Sequence, residues 1–376
     1  MAFLAQFILN LSFKSFSFLP PPKKKIIIYD SNLSNYLTNF LGNDEYHILY
    51  SRGEKINFFI LIKIIIKFKF TFLEYCNEYL RYVEPKFIIT FTDNNKLFYL
   101  LKSNTAKKIF IQCAWRTKIN DLPVAKTISN NYSVDYMLVF NNLIGKFYSD
   151  YIKGKYIAIG SFRSNSSNVY KGKKKIDILY ISTFRVISSD FLTRKNNTFE
   201  FFKKGEIDIL NLLRKFSDDI KQKIYVYGAM QKKENQLKEY SFFKKILGDN
   251  FVFIKNNKNK TYYYTDCSKI VISSDSTLGY ESLSRGNKTI IFNTRSSSKK
   301  EMISKKFGWP KKIPYNGLFW INSLDYKNFR KIFDRVFSMK KKQWISSVNL
   351  IMSDILKHYK NNYVFMSFLK KNKIIF

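Results

Sequence analysis

The chain is poor in the residues that most often bind metals or form covalent cross-links. Its 376 residues include two His and three Cys, and Cys76, Cys113 and Cys267 are irregularly spaced. This pattern excludes a disulfide framework and a zinc-finger arrangement, and it fits a reducing cytoplasm. His47 and His358 lie in unrelated contexts, so a His-based metal site or a Ser-His triad has little support. No Asp-x-Asp sequence occurs, so the usual carboxylate clamp for a metal–nucleotide complex is missing, and we expect neither a metal nor a cofactor.

Acidic residues are scarce as well. Lys and Arg total 65 against 28 Asp and Glu, which gives a net charge of +37, and such a balance suggests nucleic acid or an anionic membrane surface as a partner. Gly and Pro are few, however, whereas Lys, Asn, Ile, Phe and Tyr, the residues of A/T-rich codons, are abundant. Because the Lys residues are spread along the whole chain, base composition explains much of the charge. Nucleic acid is therefore disfavoured as a partner, and a membrane surface is favoured.

Long uninterrupted apolar runs are also absent. Residues 1–22 are apolar and end in PPP (Pro20–Pro22), without the basic start and cleavage site of a signal peptide. We interpret them as an extension, either a short interfacial anchor or a disordered segment. The run FFILIKIIIKFKFTFL (Phe58–Leu73) carries Lys63, Lys67 and Lys69, which argue against a membrane-spanning helix. It predicts either an amphipathic helix at a membrane interface or a core helix whose lysines extend to solvent.

Short β-branched segments alternate with helical patterns along the whole chain, which predicts an α/β fold with parallel sheets. In the first half they are Lys23–Asp30, Tyr46–Glu54, Pro85–Asn94, Lys107–Arg116, Val134–Asn141 and Lys155–Ser161, and in the second Lys174–Thr183, Lys223–Met230, Asn250–Lys255, Lys269–Asp275 and Lys288–Thr294. A Ser-, Asn- and Lys-rich loop separates the halves. We predict Rossmann-like domains at 23–162 and 174–335 that face a cleft, with helices over 336–376 that pack back.

One loop of the second half has an unusual composition for this chain. The segment SSDSTLGYESLSRG (Ser273–Gly286) follows the strand KIVIS and begins a helix at Thr277. Backbone N–H groups and the positive dipole end at such a junction suit a phosphate, and Glu281 is placed to accept hydrogen bonds from a sugar diol. The alternative is an ordinary Ser/Thr/Asp helix cap followed by a Glu.

Taken together, the two halves and the late Ser-rich loop resemble GT-B glycosyltransferases and the related non-hydrolysing sugar-nucleotide epimerases. A closer resemblance is to a bacterial family of surface-carbohydrate (lipopolysaccharide) biosynthesis proteins. The similar segments, in order, are IIIYD (26–30), SRGEKIN (51–57), ITFTDNNKLFYLL (89–101), IFIQ followed by Arg116, VDYMLVFN (134–141), IAIGSFRSN (157–165), ILYIST (178–183) and DSTLGYESLSRG (275–286).

The resemblance implies that the second half binds a nucleotide-sugar donor without a metal. Donor phosphate would then lie at Ser274, Asp275, Ser276 and Thr277, and Glu281 would bind the ribose hydroxyls. Arg185, just beyond the first strand of that half, would add positive charge. A similarity to Kdo-type transferases points to a CMP-sugar, with UDP and GDP sugars left open.

The first half would carry the acceptor and the reacting centre. Asp93 follows a strand, where a carboxylate can deprotonate an acceptor hydroxyl or stabilise an oxocarbenium-like transition state. Asn94 would position hydroxyls. The alternative for Asp93 is a cap of the helix KLFYLLK. Gln112 and Arg116 would contact the acceptor, but the family's Gln-Asn-Gly segment reads QCAWR here, which implies altered acceptor choice or lost activity.

The favoured function is glycosyl transfer to a surface glycan or lipid-linked acceptor, by a cytoplasmic protein bound peripherally at the inner face of the membrane. One alternative is a sugar-nucleotide epimerase of the same architecture, although such enzymes use further acidic and His residues. Another is a non-catalytic, basic, membrane-associated or nucleic-acid-binding protein, which would show salt-dependent binding without affinity for sugar nucleotides.

Overall fold

A computed structural model describes residues 16–42, 44–52, 54–103, 105–116, 132–186, 197–257, 259–293, 306–322 and 325–375. The described residues form two compact units. The first contains residues 16–114, 132–166 and 361–375, and the second contains residues 115–116 and 167–360. The end of the chain therefore belongs to the first unit. Of the predicted extension over residues 1–22, residues 1–15 lie outside the described part.

The first unit is built from short strands and helices in alternation. Its strands are β1 (Phe16–Ser17), β2 (Ile26–Tyr29), β3 (Tyr46–Leu49), β4 (Ile56–Asn57), β5 (Phe87–Thr90), β6 (Lys107–Ile111), β7 (Ser133–Val139) and β8 (Lys153–Ala158). Its helices up to the linker are α1 (Ser34–Thr38), α2 (Phe58–Ile66), α3 (Phe72–Val83), α4 (Lys96–Leu100), α5 (Asn142–Ser149) and α6 (Phe162–Asn165).

The second unit repeats this alternation. Its strands are β9 (Ile176–Ile181), β10 (Ile224–Tyr227), β11 (Phe251–Ile254), β12 (Ser268–Ser273), β13 (Thr289–Phe292) and β14 (Trp320–Ile321). Its helices are α7 (Asn197–Ile220), α8 (Lys233–Leu247), α9 (Thr261–Asp266), α10 (Thr277–Ser284), α11 (Tyr326–Ser338) and α12 (Lys341–Met352). The final helix, α13 (Tyr363–Lys371), belongs to the first unit.

Each unit contains a six-stranded, wholly parallel sheet. The order is β3-β2-β5-β6-β7-β8 in the first unit and β11-β10-β9-β12-β13-β14 in the second. The central strands are continuous buried runs, such as Ile26–Tyr29 and Thr289–Phe292, because helices cover both faces of a parallel sheet. The predicted α/β class with two Rossmann-like sheets is confirmed.

The last helix completes the core of the first unit. Phe365, Phe368 and Leu369 of α13 are buried in the same apolar cluster as Ile28 and Ile89 of the central strands. Asn362, at the start of this helix, donates its side-chain amide to the carbonyl of Phe162 at 2.9 Å. The C-terminal residues thus cover one face of the first sheet.

The run Phe58–Leu73, which the sequence predicts as one helix, is divided between two helices, α2 and α3. α2 ends at Ile66, and Phe68 adopts a left-handed backbone with φ of 52°. Thr71 then caps α3 by accepting the N–H of Glu74. No helix within the described residues is long and apolar enough to cross a membrane.

A buried ion pair fixes the linker to the second unit. Arg285, just after α10, donates to Asp266 at 3.0 and 2.6 Å and to the carbonyls of Ser167 and Asn168. The side chains of Arg285 and Asp266 are 0% and 1% exposed. His358 lies close enough to both charges for each of them to act on its titration.

The His358 ring provides a test of this arrangement. Burial, with a further contribution from Arg285, lowers the pKa of His358 from 6.5 to about 4, although Asp266 acts in the opposite direction. Between these values the unfolded chain binds a proton that the folded chain does not, so this group makes stability fall as the pH decreases from 6.5 to 4. The His358→Gln variant should lose less free energy of unfolding than the parent across this range. Urea titrations at several pH values measure the difference, and parallel curves would contradict the assignment.

Candidate functional site

The polar residues of the second unit collect where its strand order reverses. The chain passes from β9 outward to β10 and β11, then crosses back to β12 on the other side of β9. Ligands of open parallel sheets bind beyond the carboxyl ends of the strands at such a switch point. Ser182 and Thr183 follow β9 there, and Ser274 and Asp275 follow β12. The sequence thus brings hydroxyl groups to the position that favours a ligand.

The junction between β12 and α10 is tightly built. Ser276 is the N-cap of α10, and its side chain accepts the N–H of Leu278. A Cβ atom at Gly279 would lie 2.4 Å from Oγ of Ser273, so only glycine allows this close approach of helix and strand. Ser274 is completely buried, and its hydroxyl has no hydrogen-bond partner among the described residues. The expected cap is present, and an unused buried hydroxyl lies beside it.

Glu281 follows Thr277 by four residues and therefore lies on the same face of α10. Side chains in a helix point back toward its N-terminus, which directs the carboxylate toward the first turn. Glu281 is 0% exposed, whereas Asp275, Ser276 and Thr277 are partly exposed. The residues predicted to bind phosphate and ribose thus lie together at the start of α10, and Glu281 is more deeply buried than Asp275, Ser276 and Thr277.

Trp115 is a further residue at this helix, and its sequence context does not indicate a functional role. Its backbone N–H donates to Oγ1 of Thr277 at 2.8 Å. Its ring stacks on Tyr280, with centroids 4.1 Å apart and planes 8° from parallel. Burial raises the pKa of the Tyr280 phenol well above its usual range. The departure from the family pattern at QCAWR therefore places an aromatic ring against α10.

Two buried carboxylates support the neighbouring strand ends, and nothing in their sequence context indicated this role. Glu239 of α8 accepts the hydroxyl of Ser182 at 2.5 Å and the backbone N–H groups of Ala229 and Met230 at 2.7 and 3.0 Å. Glu206 of α7 accepts the phenol of Tyr180 at 2.8 Å, and the hydroxyl and N–H of Thr183. Both glutamates are at most 3% exposed. They fix the loops after β9 and β10, including the one that leads to Arg185.

Arg185 itself is exposed. Its guanidinium donates to the carbonyl of the preceding Phe184 at 2.9 Å. Arg185 therefore lies shortly after β9, and among the described residues no hydrogen bond or ion pair joins it to α10.

The first unit has its own switch point, between β2 and β5. Asp30 follows β2 with a left-handed backbone of φ 81° and is 1% exposed. Its carboxylate accepts hydrogen bonds from the backbone N–H of Asn32 and from the side chains of Arg52 and Thr92, at 2.9, 3.0 and 3.2 Å respectively. The polar residues after these strands form one connected group.

Asp93, the predicted catalytic carboxylate, is completely buried in the first unit. Its Oδ2 accepts the phenol of Tyr148 at 2.5 Å, and its Oδ1 accepts the N–H and thiol of Cys113 at 3.3 and 3.2 Å. The alternative interpretation of Asp93 as a helix cap is wrong, because Asn95 caps α4 by accepting the N–H of Leu97. Asp93 instead joins the ends of β5 and β6 to α5.

The remaining predicted residues do not form a single cluster. Gln112 is 1% exposed, accepts the N–H of Phe140 and donates to the carbonyl of Ala114, both at 2.9 Å. Asn94 is exposed beside Asp93. Arg116 is partly buried and belongs to the second unit, whereas Gln112 belongs to the first. Among the described residues, no group of three or more His, Cys, Asp or Glu is placed to hold a metal ion.

Solved structures show the fold class. A "putative UDP-N-acetylglucosamine 2-epimerase" from Listeria monocytogenes superposes with a TM-score of 0.55 at 10% identity, over 95% of this chain and 98% of that one. UDP-GlcNAc 2-epimerase from Neisseria meningitidis, bound to UDP-GlcNAc, gives 0.52 at 10% identity over 95% and 100%. The wall teichoic acid polymerase TagF, as its H444N variant, gives 0.51 at 12% identity over 94% and 89%. The chain therefore has a GT-B-like fold.

A family match identifies the protein more closely. The family described as "putative O-antigen biosynthesis protein" matches residues 109–373, which is well over half of the 376-residue chain. The chain belongs to this family, which confirms the resemblance to surface-carbohydrate biosynthesis proteins. A search of curated proteins finds no match.

Replacement of Trp115 tests whether its stack on Tyr280 stabilises the second unit. Trp115 is 8% exposed, so Trp115→Ala should create a cavity and destabilise the second unit by about 3 kcal/mol or more. Trp115→Phe keeps a ring against Tyr280 and should lose less than half of that. Chemical denaturation of the two variants beside the parent measures both values. Equal stability of Trp115→Ala and the parent would contradict a structural role for the stack.

Proposed function

We propose that the protein is a glycosyltransferase of O-antigen assembly, which moves a sugar from a nucleotide-sugar donor to a surface polysaccharide or lipid-linked acceptor. The observation that carries this proposal is the junction of β12 and α10 at the switch point of the second sheet. A completely buried Ser274 hydroxyl with no partner in the described residues adjoins the N-terminal turn of a helix there. Buried polar groups are nearly always hydrogen-bonded, and a ligand phosphate supplies acceptors where the helix dipole favours them.

The donor contacts follow from this placement. Ser274, Asp275, Ser276 and Thr277 would surround the phosphates, where hydroxyls and backbone N–H groups act as donors. Glu281, on the face below Thr277, would accept hydrogen bonds from the ribose hydroxyls. Arg185 would contribute a cation from the loop after β9. The rigid support of that loop by Glu206 and Glu239 suits a site whose ligand must be held in one orientation.

The identity of the nucleotide is a separate question. A similarity to Kdo-type transferases suggests a CMP-sugar. The epimerase from Neisseria meningitidis was solved with UDP-GlcNAc, so UDP is a second candidate. In either case we propose transfer without a bound metal, with positive charge from Arg185 and the α10 dipole offsetting the charge that develops on the leaving phosphate.

The first unit would bind the acceptor. Asp93 is proposed as the base or as the stabiliser of positive charge on the sugar, with Asn94 and Gln112 as acceptor contacts. Arg116, the third residue predicted to contact the acceptor, belongs to the second unit and is not part of this proposal. Asp93 is buried and binds Tyr148 and Cys113. An acceptor hydroxyl would therefore have to replace one of these partners. A lipid-linked acceptor would place the reaction at the inner face of the cytoplasmic membrane.

The competing function is epimerisation of a sugar nucleotide, which the fold also accommodates. Such enzymes use acidic and His residues around the sugar, and both His residues of this chain have other neighbours. His47 stacks on the ring of Tyr79 in the first unit, and His358 is beside the Arg285–Asp266 pair. An epimerase would interconvert UDP-GlcNAc with no acceptor present, whereas a transferase releases free nucleotide when an acceptor is supplied.

Nucleotide binding is the first test. The melting temperature of the purified protein should rise with one of CMP, UDP, GDP or dTDP, because a ligand at 100 times its Kd stabilises the folded state by about 2.7 kcal/mol. Glu281→Gln should abolish or strongly reduce this shift. Glu84→Gln makes the same change at an exposed glutamate of the first unit and should leave the shift intact. No shift with any of the four nucleotides would contradict the donor site.

The proposed role of Asp93 is tested by two variants, one at each partner of the hydrogen bond between Asp93 and Tyr148. Asp93→Asn should retain the nucleotide shift and lose transfer by on the order of 100-fold, because a general base or charge stabiliser contributes at least that much. Tyr148→Phe removes the phenol that binds Asp93 but leaves the carboxylate, and should lower stability with a smaller effect on transfer. Nucleotide release from the donor, with membrane lipid extract as acceptor, measures both. Equal losses of transfer in the two variants would show that Asp93 acts only through structure.

A further inference from the structure

One face of α2 is apolar and exposed. Phe58, Ile62, Ile65 and Ile66 are 38%, 42%, 39% and 69% exposed. Their spacing places them on one side of the helix. The opposite side faces the core, where Ile60, Leu61 and Ile64 are buried. A helix of this kind is apolar on both faces, and the described residues of the first unit bury one of them.

Neighbouring segments extend this face. Phe18 and Leu19 are 70% and 77% exposed, and the ring centroid of Phe18 is 5.5 Å from that of Phe58. The side chain of Asn57 donates to the carbonyl of Leu19 at 2.8 Å, which holds the segment beside the start of α2. Phe68, in the turn after the helix, is 83% exposed. We call Phe18, Leu19, Phe58, Ile62, Ile65, Ile66 and Phe68 the α2 surface.

The exposure is too concentrated to be the scattered apolar surface of an ordinary domain. Single exposed Leu or Ile side chains are normal, but a contiguous apolar patch marks an interaction site. α2 has nine residues, which is far too short to cross a bilayer. The α2 surface therefore suits a partner that binds a shallow apolar face, and α2 does not span a membrane.

The charges around the α2 surface indicate what that partner is. Four basic side chains, Lys63, Lys67, Lys69 and Arg81, lie on α2 or beside it, together with the two carboxylates of Glu74 and Glu78. Lys67 pairs with Glu78, Lys69 pairs with Glu74 and Arg81 pairs with both, so the net charge of this rim is positive. The ammonium of Lys63 lies 4.7 Å from the ring centroid of Phe59 and 4.8 Å from that of Tyr82, so its stem covers apolar surface while its charge stays at the edge. Two copies of such a rim would repel each other, which disfavours self-association.

We propose that the α2 surface docks on an anionic lipid bilayer, with its aromatic and aliphatic side chains in the headgroup–acyl boundary and the lysines at the phosphate level. Amphipathic helices bind membranes by this combination of buried apolar area and attraction to anionic lipid. The inference goes beyond the proposed function, since it identifies a surface on the first unit and requires no nucleotide or acceptor. Docking on the membrane would also bring the protein close to a lipid-linked acceptor.

Co-sedimentation with vesicles tests the proposal on the full chain. Vesicles of phosphatidylcholine with roughly one third phosphatidylglycerol should bind the protein, with affinity that falls as salt is added. The Ile66→Ser/Phe68→Ser double variant should bind on the order of tenfold more weakly or worse. The matched control is Leu237→Ser/Leu350→Ser, which changes two side chains that are 60% and 80% exposed on the second unit. It should bind as the parent does.

Four outcomes would overturn the proposal. They are no vesicle binding by the parent, equal binding to pure phosphatidylcholine, equal loss in both double variants, or a parent dimer that Ile66→Ser/Phe68→Ser converts to monomer in sedimentation velocity. The last would assign the surface to a second copy of the chain. A nucleotide shift that persists in Ile66→Ser/Phe68→Ser separates the two proposals, because failure of docking then leaves the donor site standing.

Discussion

The second unit depends on the ion pair between Arg285 and Asp266. Both side chains are essentially inaccessible to water, and Asp266 also accepts hydrogen bonds from the side chain of Asn287 and the N–H of Tyr170. Arg285 ends α10 and binds two carbonyls of the linker. One pair of charges therefore fixes the end of α10, the residue before the start of β13 and the linker at Ser167 and Asn168. Removing one partner would leave a buried charge, at a cost of about 3–5 kcal/mol.

The same physical solution recurs at the ends of the strands. Glu239, Glu206 and Asp93 are buried carboxylates, and each accepts a backbone N–H group from a loop that follows a strand. Each replaces, inside the protein, the water that those loop groups would otherwise bind. A chain with few acids thus uses several of them internally.

The sequence predicted the parts of the fold that depend on local pattern. Buried β-branched runs such as those of β12 and β13, and the Ser-rich start of α10, need only neighbouring residues to specify them. The α2–α3 break was missed because Phe68 adopts a left-handed backbone that nothing in its residue type indicates. β14 was missed because its two residues, Trp320 and Ile321, are too few to show the apolar pattern that identifies a strand. Tertiary contacts, and not propensity, decide these elements.

The candidate site was predictable to the same extent. Ser274–Thr277 and Glu281 could be proposed from the sequence because they lie within one strand–loop–helix segment. Trp115, Glu206 and Glu239 could not, because each reaches the site from a distant part of the chain. Glu206 and Glu239 look like solvent-facing helix residues in the sequence, since charged positions in helices are usually exposed. The predicted acceptor residues Gln112 and Arg116 are close in sequence but belong to different units.

The position of Trp115 has an optical consequence. Its indole ring is parallel to the phenol of Tyr280, with the ring centroids 4.1 Å apart, and its backbone is bonded to the first residue of α10. The chain has three other tryptophans, Trp309, Trp320 and Trp344, and the indole N–H groups of Trp320 and Trp344 bind backbone carbonyls. Emission from Trp115 depends on its stacking partner and on the electric field at the helix terminus. The protein therefore contains its own fluorophore at the point where a charged ligand would change that field.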